Sequence, residues 1–191
     1  YSHLNNLEFA LGIKDRGYSN SLERESVKRS VEKLSVLGKG DTQVLEQISF
    51  FYRETGQFDK SIDFINKCIL LKPDSWEFKY SLATIFYRIK DFEKSLKILL
   101  ELPSYILNGT APHELSNSTG DYKYHAVWNL ISLNYDSIAD NLSMSDNPNY
   151  NAAIKNYLEA LNYNNKIFSS INDIDYGENY YCLLYTSDAA D

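Results

Sequence analysis

Cysteine is nearly missing from this chain: two in 191 residues, too few for a disulfide-stapled secreted fold. No run approaches the roughly 18 consecutive apolar residues that span a bilayer, so no membrane-spanning helix is expected. Basic residues are in deficit, 19 Lys and Arg against 26 Asp and Glu, for a net charge of −7. Non-specific nucleic-acid binding rests on clustered Lys and Arg, and that reading is excluded. The three histidines, His3, His113 and His125, stand far apart. They show no HxxH or HExxH spacing, and no clustered His, Cys and carboxylate set suggests a metal site. The phosphate-binding pattern GxxxxGK[ST], the dinucleotide pattern GxGxxG and the nucleophile pattern GxSxG are all absent. The nearest carboxylate pair, Glu23 and Glu25, flanks Arg24 and projects to different sides of a helix. The expectation is a non-catalytic protein with no cofactor and no metal.

What the chain does have is a period. Residues Phe51 to Cys68, FYRETGQFDKSIDFINKC, align without gaps on Ile85 to Leu102, IFYRIKDFEKSLKILLEL, at an offset of 34. Tyr52 falls on Phe86, Phe58 on Phe92, and Lys60-Ser61 on Lys94-Ser95. Ile62, Ile65 and Cys68 fall on Leu96, Leu99 and Leu102. Apolar residues recur at three- and four-residue steps, so each half of the period reads as an amphipathic helix. The turn between halves holds Gly56 in the first copy and Lys90 in the second.

These residues resemble the tetratricopeptide-repeat family, whose pattern is W-x2-L-G-x2-Y, then a small residue, an aromatic, a second small residue and a Pro. The first copy supplies Leu45, Ile48, Ser49 and Tyr52, then Phe58, Ser61, Ile65, Cys68 and Pro73. The second departs from the pattern at Lys79, where Trp76 and Tyr80 are expected to cover the site, and has Leu107 at the Pro position. A third copy has Trp128, Ile131, Ser132 and Tyr135. Its second helix is aligned through Tyr150, Ala153, Tyr157 and Ala160, with about nine extra residues between the halves and a first helix running to Leu142. The resemblance implies an all-α fold, a right-handed superhelical solenoid of antiparallel helix pairs. It holds about three repeats plus a degenerate N-terminal one.

The small residues have a packing reason. Ser49, Ala83 and Ser132 are expected where the two helices of a repeat approach closest, and Cys68 and Ala160 where one repeat meets the next. A bulky side chain there would hold the backbones apart. Cys68 is thus expected to be an inert core residue. Most of the aromatic content, 14%, is assigned to the core as well: Tyr52, Phe58, Phe86, Phe92, Trp128, Tyr135, Tyr150 and Tyr157.

The expected organisation is a degenerate helix pair over 1–40, two repeats over 41–102, a loop insertion over 103–120, a third repeat with an internal insertion over 121–165, and a loop or the start of a further repeat over 166–181. Within the first segment, Leu4, Leu7, Phe9, Ala10 and Leu11 suggest one helix and Gly17 to Asn20 a turn. Ser21 to Leu37 suggest a second helix that stops at Gly38. Pro103 stops the helix before the insertion, which is expected to be an exposed loop or a lid over a partner. The chain opens on Tyr1 rather than Met. Its last ten residues, CLLYTSDAAD (182–191), resemble the translation of a sequencing-library transposon adapter, so about 181 residues are expected to be native and to belong to something longer. Without Asp188 and Asp191 the net charge moves from −7 to −5.

In tetratricopeptide arrays the first helices line a concave face, and the resemblance implies that a protein or peptide partner lies there. The positions carried over as candidate contacts are Phe50, Arg53, Tyr80, Thr84, Tyr87, Arg88, Asn129 and Leu133, with Leu130 on the same mapped face. Arg53 and Arg88 are placed to grip a carboxylate or a backbone carbonyl. The Lys, Asn and Arg clamp with which one subfamily holds chaperone C-terminal carboxylates is absent: Glu46, Phe50, Ser81, Ala126 and Leu130 stand in its places. The expected function is a non-catalytic interaction scaffold in the cytoplasm. The competing readings are the repeat region of a larger enzyme or regulator, and a module whose groove is filled by its own tail or by a second copy.

Overall fold

The computed structural model describes residues 25–108 and 121–172. All regular structure among them is helical, in order α1 (Glu25–Leu37), α2 (Thr42–Glu54), α3 (Phe58–Leu71), α4 (Trp76–Arg88), α5 (Phe92–Leu100), α6 (Ser104–Leu107), α7 (Asp121–Met144) and α8 (Tyr150–Asn172). The chain divides into two compact units, one up to Ser104 and one from Tyr105. The expected N-terminal helix and its turn, residues 109–120 and the adapter-like tail lie outside the described residues.

In the first unit each helix packs on the next: α1 on α2, α2 on α3, α3 on α4 and α4 on α5. Val27, Val31 and Leu34 of α1 are buried with Val44, Ile48 and Phe51 of α2. Gly38 ends α1 as expected, its N–H donating to the Leu34 carbonyl at 2.8 Å. Any side chain there would overlap Val44, so the close approach of α1 and α2 requires glycine. Asp41 then caps α2 through its carboxylate, which accepts from the Gln43 N–H at 2.9 Å.

A second cluster joins the two repeats: Leu45, Ile65 and Cys68 with Phe78 and Ile85. Cys68 is fully buried and its thiol donates to the Thr42 carbonyl at 3.6 Å. Burial pushes that thiol up to about 11, which removes the thiolate needed for reactivity. At the start of α4 the buried residues are Trp76 and Phe78, whereas Tyr80, expected to help cover the Lys79 position, is half-buried.

The 34-residue period appears in the turns as well. The Gln57 N–H donates to the Tyr52 carbonyl at 2.8 Å, and the Asp91 N–H to the Phe86 carbonyl at 2.9 Å. Gly56 and Lys90 are both in the left-handed region, φ 73° and 66°. Glycine meets that demand at no steric cost, and lysine does not.

The second unit is a long hairpin of α7 against α8. Its register differs from the one read in the sequence. The Ser132 hydroxyl donates to the Ala160 carbonyl at 3.2 Å, 28 residues away, where the corresponding Ser49 and Ser61 are 12 apart. Tyr135 stacks on Tyr163 just as Tyr52 stacks on Phe64, and Lys166 lies over Tyr163 as Lys67 lies over Phe64. The third pair therefore carries about sixteen extra residues rather than nine. Ala160 holds the place of Ser61 inside the pair, not that of Cys68 between repeats. The insertion lengthens both helices, because no Pro or Gly interrupts 121–144 or 150–172. Helix α8 consequently runs to Asn172, past the boundary expected at 165.

Two aromatic assignments change with that register. Tyr150 is 64% and Tyr157 38% exposed, and Tyr163 is the buried tyrosine of α8. Within the segment expected to be a loop over 103–120, Ser104 to Leu107 form one helical turn. Ile106 is buried there, and the Leu107 carbonyl accepts from the Trp128 indole N–H at 3.0 Å. That contact lends the turn an order that local periodicity does not show.

Candidate partner-binding face

Helices α2 and α4, the first helices of neighbouring repeats, bring Arg53, Glu54 and Arg88 together. The Glu54 side chain is only 7% exposed. One of its oxygens, Oε1, accepts from Arg88 Nη1 at 2.8 Å and from Arg53 Nε at 3.1 Å. The two guanidiniums expected to grip a partner's carboxylate thus already share a carboxylate of this chain. Among the described contacts, two cations face one anion there. Arg88, whose side chain is 42% exposed, is the more accessible of the two.

Arg53 is held more tightly. Its guanidinium lies 4.2 Å from the Phe50 ring centroid, a cation–π contact. Burial lowers its pKa and the Glu54 charge opposes that, and arginine remains charged throughout. Phe50 is half-buried and packs against the α1–α2 core, so it is partly a core residue. Tyr80 lies close enough to feel the Arg53 charge. Burial raises its hydroxyl pKa, with Thr84 and Arg53 pulling it back. The Thr84 hydroxyl donates to the Tyr80 backbone carbonyl at 3.0 Å. Tyr87 is half-buried with its ring 5.5 Å from Phe92 of α5, and so partly bridges its own repeat.

Towards the other end of the same helices the charge is reversed. Glu46 of α2 has a raised pKa, first because it is partly buried and then because Glu77 of α4 is near. The face therefore runs from acidic at the helix starts, through Phe50 and Tyr80, to basic at the helix ends. Such polarity is complementary to a segment that carries charges of both signs.

Asn129 and Leu133 belong to α7 in the second unit, where Asn129 is exposed and Leu133 is 37% exposed. Leu130, mapped to the same face in the sequence, is buried at 6% exposure and belongs to the core. Sequence reasoning missed Asn134. It is fully buried on α7, its amide donating to the Leu130 carbonyl at 2.6 Å, while Oδ1 has no hydrogen-bond partner among the described residues. Its place three residues after Ile131, on the apolar side of the helix, is the signal that would have found it. Among the described residues no group of three His, Cys, Asp or Glu is arranged to hold a metal ion. No described helix is long and apolar enough to cross a membrane.

Antiparallel helix pairs repeated at 34 residues, with small residues at the crossings and matching left-handed turns, define a helix-hairpin repeat protein. The tetratricopeptide-repeat family profile matches residues 42–75, which run from the first residue of α2 to the residue before α4. Residues 42–75 thus match a tetratricopeptide repeat, and the helical repeat around them fits that fold. Among solved structures, the one titled "Crystal structure of MamA" is 16% identical, with a TM-score of 0.41, over 77% of this chain and 91% of that one. No curated protein matches the chain.

Proposed function

We propose that this chain is a non-catalytic scaffold that binds a protein segment across the face formed by α2 and α4. Tetratricopeptide repeats generally mediate protein–protein interaction, and the resemblance supports a partner on the first helices. The observation that carries the reading is the Arg53–Glu54–Arg88 cluster beside Phe50 and Tyr80. It is a preorganised, partly desolvated charge beside aromatic surface, the combination enriched at binding hot spots. Arg88 is the contact for an incoming carboxylate, and Tyr80 for an apolar side chain. In the second unit, taken by itself, Asn129 and Leu133 of α7 are proposed as separate contact positions.

The test is a peptide array screened with the full chain and with Arg88→Glu and Tyr80→Ala variants of unchanged helicity. Peptides bound by the parent are expected to carry an acidic side chain or a free C-terminus. They should lose roughly tenfold or more in affinity on Arg88→Glu, about 1.4 kcal/mol. Bound peptides that keep full affinity for both variants would place the binding surface elsewhere.

A further inference from the structure

Glu54 and Arg88 stand 34 residues apart, at the same place in neighbouring repeats. One ends α2 and the other ends α4. Their contact, 2.8 Å between Glu54 Oε1 and Arg88 Nη1, therefore ties one repeat to the next.

The two arginines use this carboxylate differently. Arg53 is fully committed inside its own helix. Its Nε donates to Glu54 Oε1 at 3.1 Å, its guanidinium lies over the Phe50 ring, and its side chain is 16% exposed. Arg88 commits one nitrogen. Its Nε and Nη2 have no partner among the described residues, and its side chain is 42% exposed. Those two nitrogens form the side-on edge of the guanidinium. The edge presents two parallel N–H donors, the geometry that a carboxylate takes bidentately.

A carboxylate that reaches this edge has two courses. It can displace Glu54, or it can bind Arg88 with Glu54 in place. Displacement strands the Glu54 side chain, 7% exposed, without its counter-charges, and an uncompensated buried charge is strongly unfavourable. Binding at the free edge breaks no existing contact. In that course Glu54 assists the ligand instead of competing with it. An arginine at a helix end surrenders rotamer freedom when it grips a ligand. The Glu54 contact has already fixed one nitrogen of a rigid planar group, and so the direction of the other two.

We propose that Glu54 is a positioning residue for binding: it holds Arg88 from across the repeat boundary so that the Nε–Nη2 edge takes a partner's carboxylate side-on. This rests on the reading of the α2–α4 face as the binding surface, and adds to it a residue that acts only through Arg88.

The test is an NMR titration of the full chain, isotope-labelled, with three tetrapeptides. Acetyl-Ala-Phe-Glu-Ala-amide carries a side-chain carboxylate, acetyl-Ala-Phe-Ala-Ala a free C-terminus, and acetyl-Ala-Phe-Gln-Ala-amide neither. The Arg88 Nε–H signal is expected to move with the first or the second and not with the third. Which of the two moves it identifies the source of the carboxylate. Glu54→Asp keeps the charge but is a methylene shorter and does not reach Arg88. It should keep the parent's circular dichroism and weaken binding roughly fivefold. In an Arg88→Ala background the same substitution should leave the residual binding unchanged, whereas a role in packing alone would weaken both backgrounds alike. Binding that weakens on Arg88→Ala but is unchanged or tighter in Glu54→Asp would overturn this proposal and leave the reading of the face intact. So would an equal loss from Glu54→Asp in both backgrounds. Binding indifferent to Arg88, or an Arg88 signal that none of the peptides moves, would overturn the reading and the proposal together.

Discussion

The hairpins α2–α3 and α7–α8 cross through the same three contacts, although sixteen more residues separate the two sides of the second crossing. In the first, Ser49 and Ser61 exchange hydrogen bonds, each hydroxyl donating to the other's carbonyl at 2.9 and 2.7 Å. Tyr52 stacks on Phe64, and Lys67 caps that ring. In the second, Ser132 meets Ala160, Tyr135 stacks on Tyr163, and Lys166 caps that ring. The register of a helix pair is therefore set where the backbones come closest, by a small residue and an aromatic one turn further on. The connection adapts to it, here by growing both helices outward.

The largest test of that idea shortens the second hairpin to the length of the first. Deleting residues 138–153 joins Ser137 to Ile154, and the substitution Lys155→Gly then puts a glycine in the middle of the new turn. Ser137 and Ile154 take the places of Glu54 and Thr55, the introduced glycine that of Gly56, and Asn156 and Tyr157 those of Gln57 and Phe58. The deletion removes two buried alanines, Ala139 and Ala153, and the Tyr157–Asp140 bond. A loss of about 2–3 kcal/mol is expected from that packing, with helicity per residue retained in circular dichroism and a cooperative urea transition. A chain that loses the α7–α8 helices altogether would show that the extension, not the crossing, holds the pair.

Much of this was legible in the sequence because the signals are local. The 34-residue offset, the turn positions Gly56 and Lys90, the stop at Gly38 and the buried places of Ser49, Cys68 and Trp128 all follow from periodicity and side-chain size. The register of the third pair did not follow. Ala153 and Ala160 are seven residues apart, on the same face of α8 and both buried, so each satisfies a small-residue pattern. Only the contact with Ser132 distinguishes them. The candidate site was legible as positions but not as chemistry. Arg53 and Arg88 stand 35 residues apart, and their shared partner Glu54 becomes visible only when α2 and α4 lie side by side.

The middle hairpin, α4–α5, sharpens the comparison by lacking one piece. Ala83 stands where Ser49 does, and the facing Ser95 hydroxyl is buried with no hydrogen-bond partner among the described residues. An unpaired buried hydroxyl costs about 1–3 kcal/mol. Ala83→Ser supplies the missing half of the exchange and is expected to stabilise the chain by about 1 kcal/mol. Ser49→Ala removes the hydroxyl that donates to the Ser61 carbonyl, while Ser61 keeps its bond to the carbonyl of residue 49, and is expected to cost about 1 kcal/mol. Urea midpoints at constant slope measure both. Equal and opposite signs support a shared crossing geometry, and a destabilising Ala83→Ser would show that α4 and α5 approach too closely for a second hydroxyl.

The smallest pair of effects concerns the turns. Gly56 and Lys90 have nearly the same positive φ and the same flanking hydrogen bonds, so the two sites differ mainly in the side chain. A Cβ at Gly56 would meet nothing within 4 Å. The penalty for a side chain there is thus a backbone penalty alone, about 1 kcal/mol for a single left-handed residue. Lys90→Gly should stabilise the chain by about that amount, less the entropy glycine adds to the unfolded state. Gly56→Lys should destabilise it by about the same. The double variant, with both residues exchanged, should return to within a few tenths of a kcal/mol of the parent, because the turns are far enough apart in the array to add independently. A double variant clearly less stable than the parent would mean that the Lys90 side chain makes a stabilising contact in the second turn that the first turn has no means to reproduce.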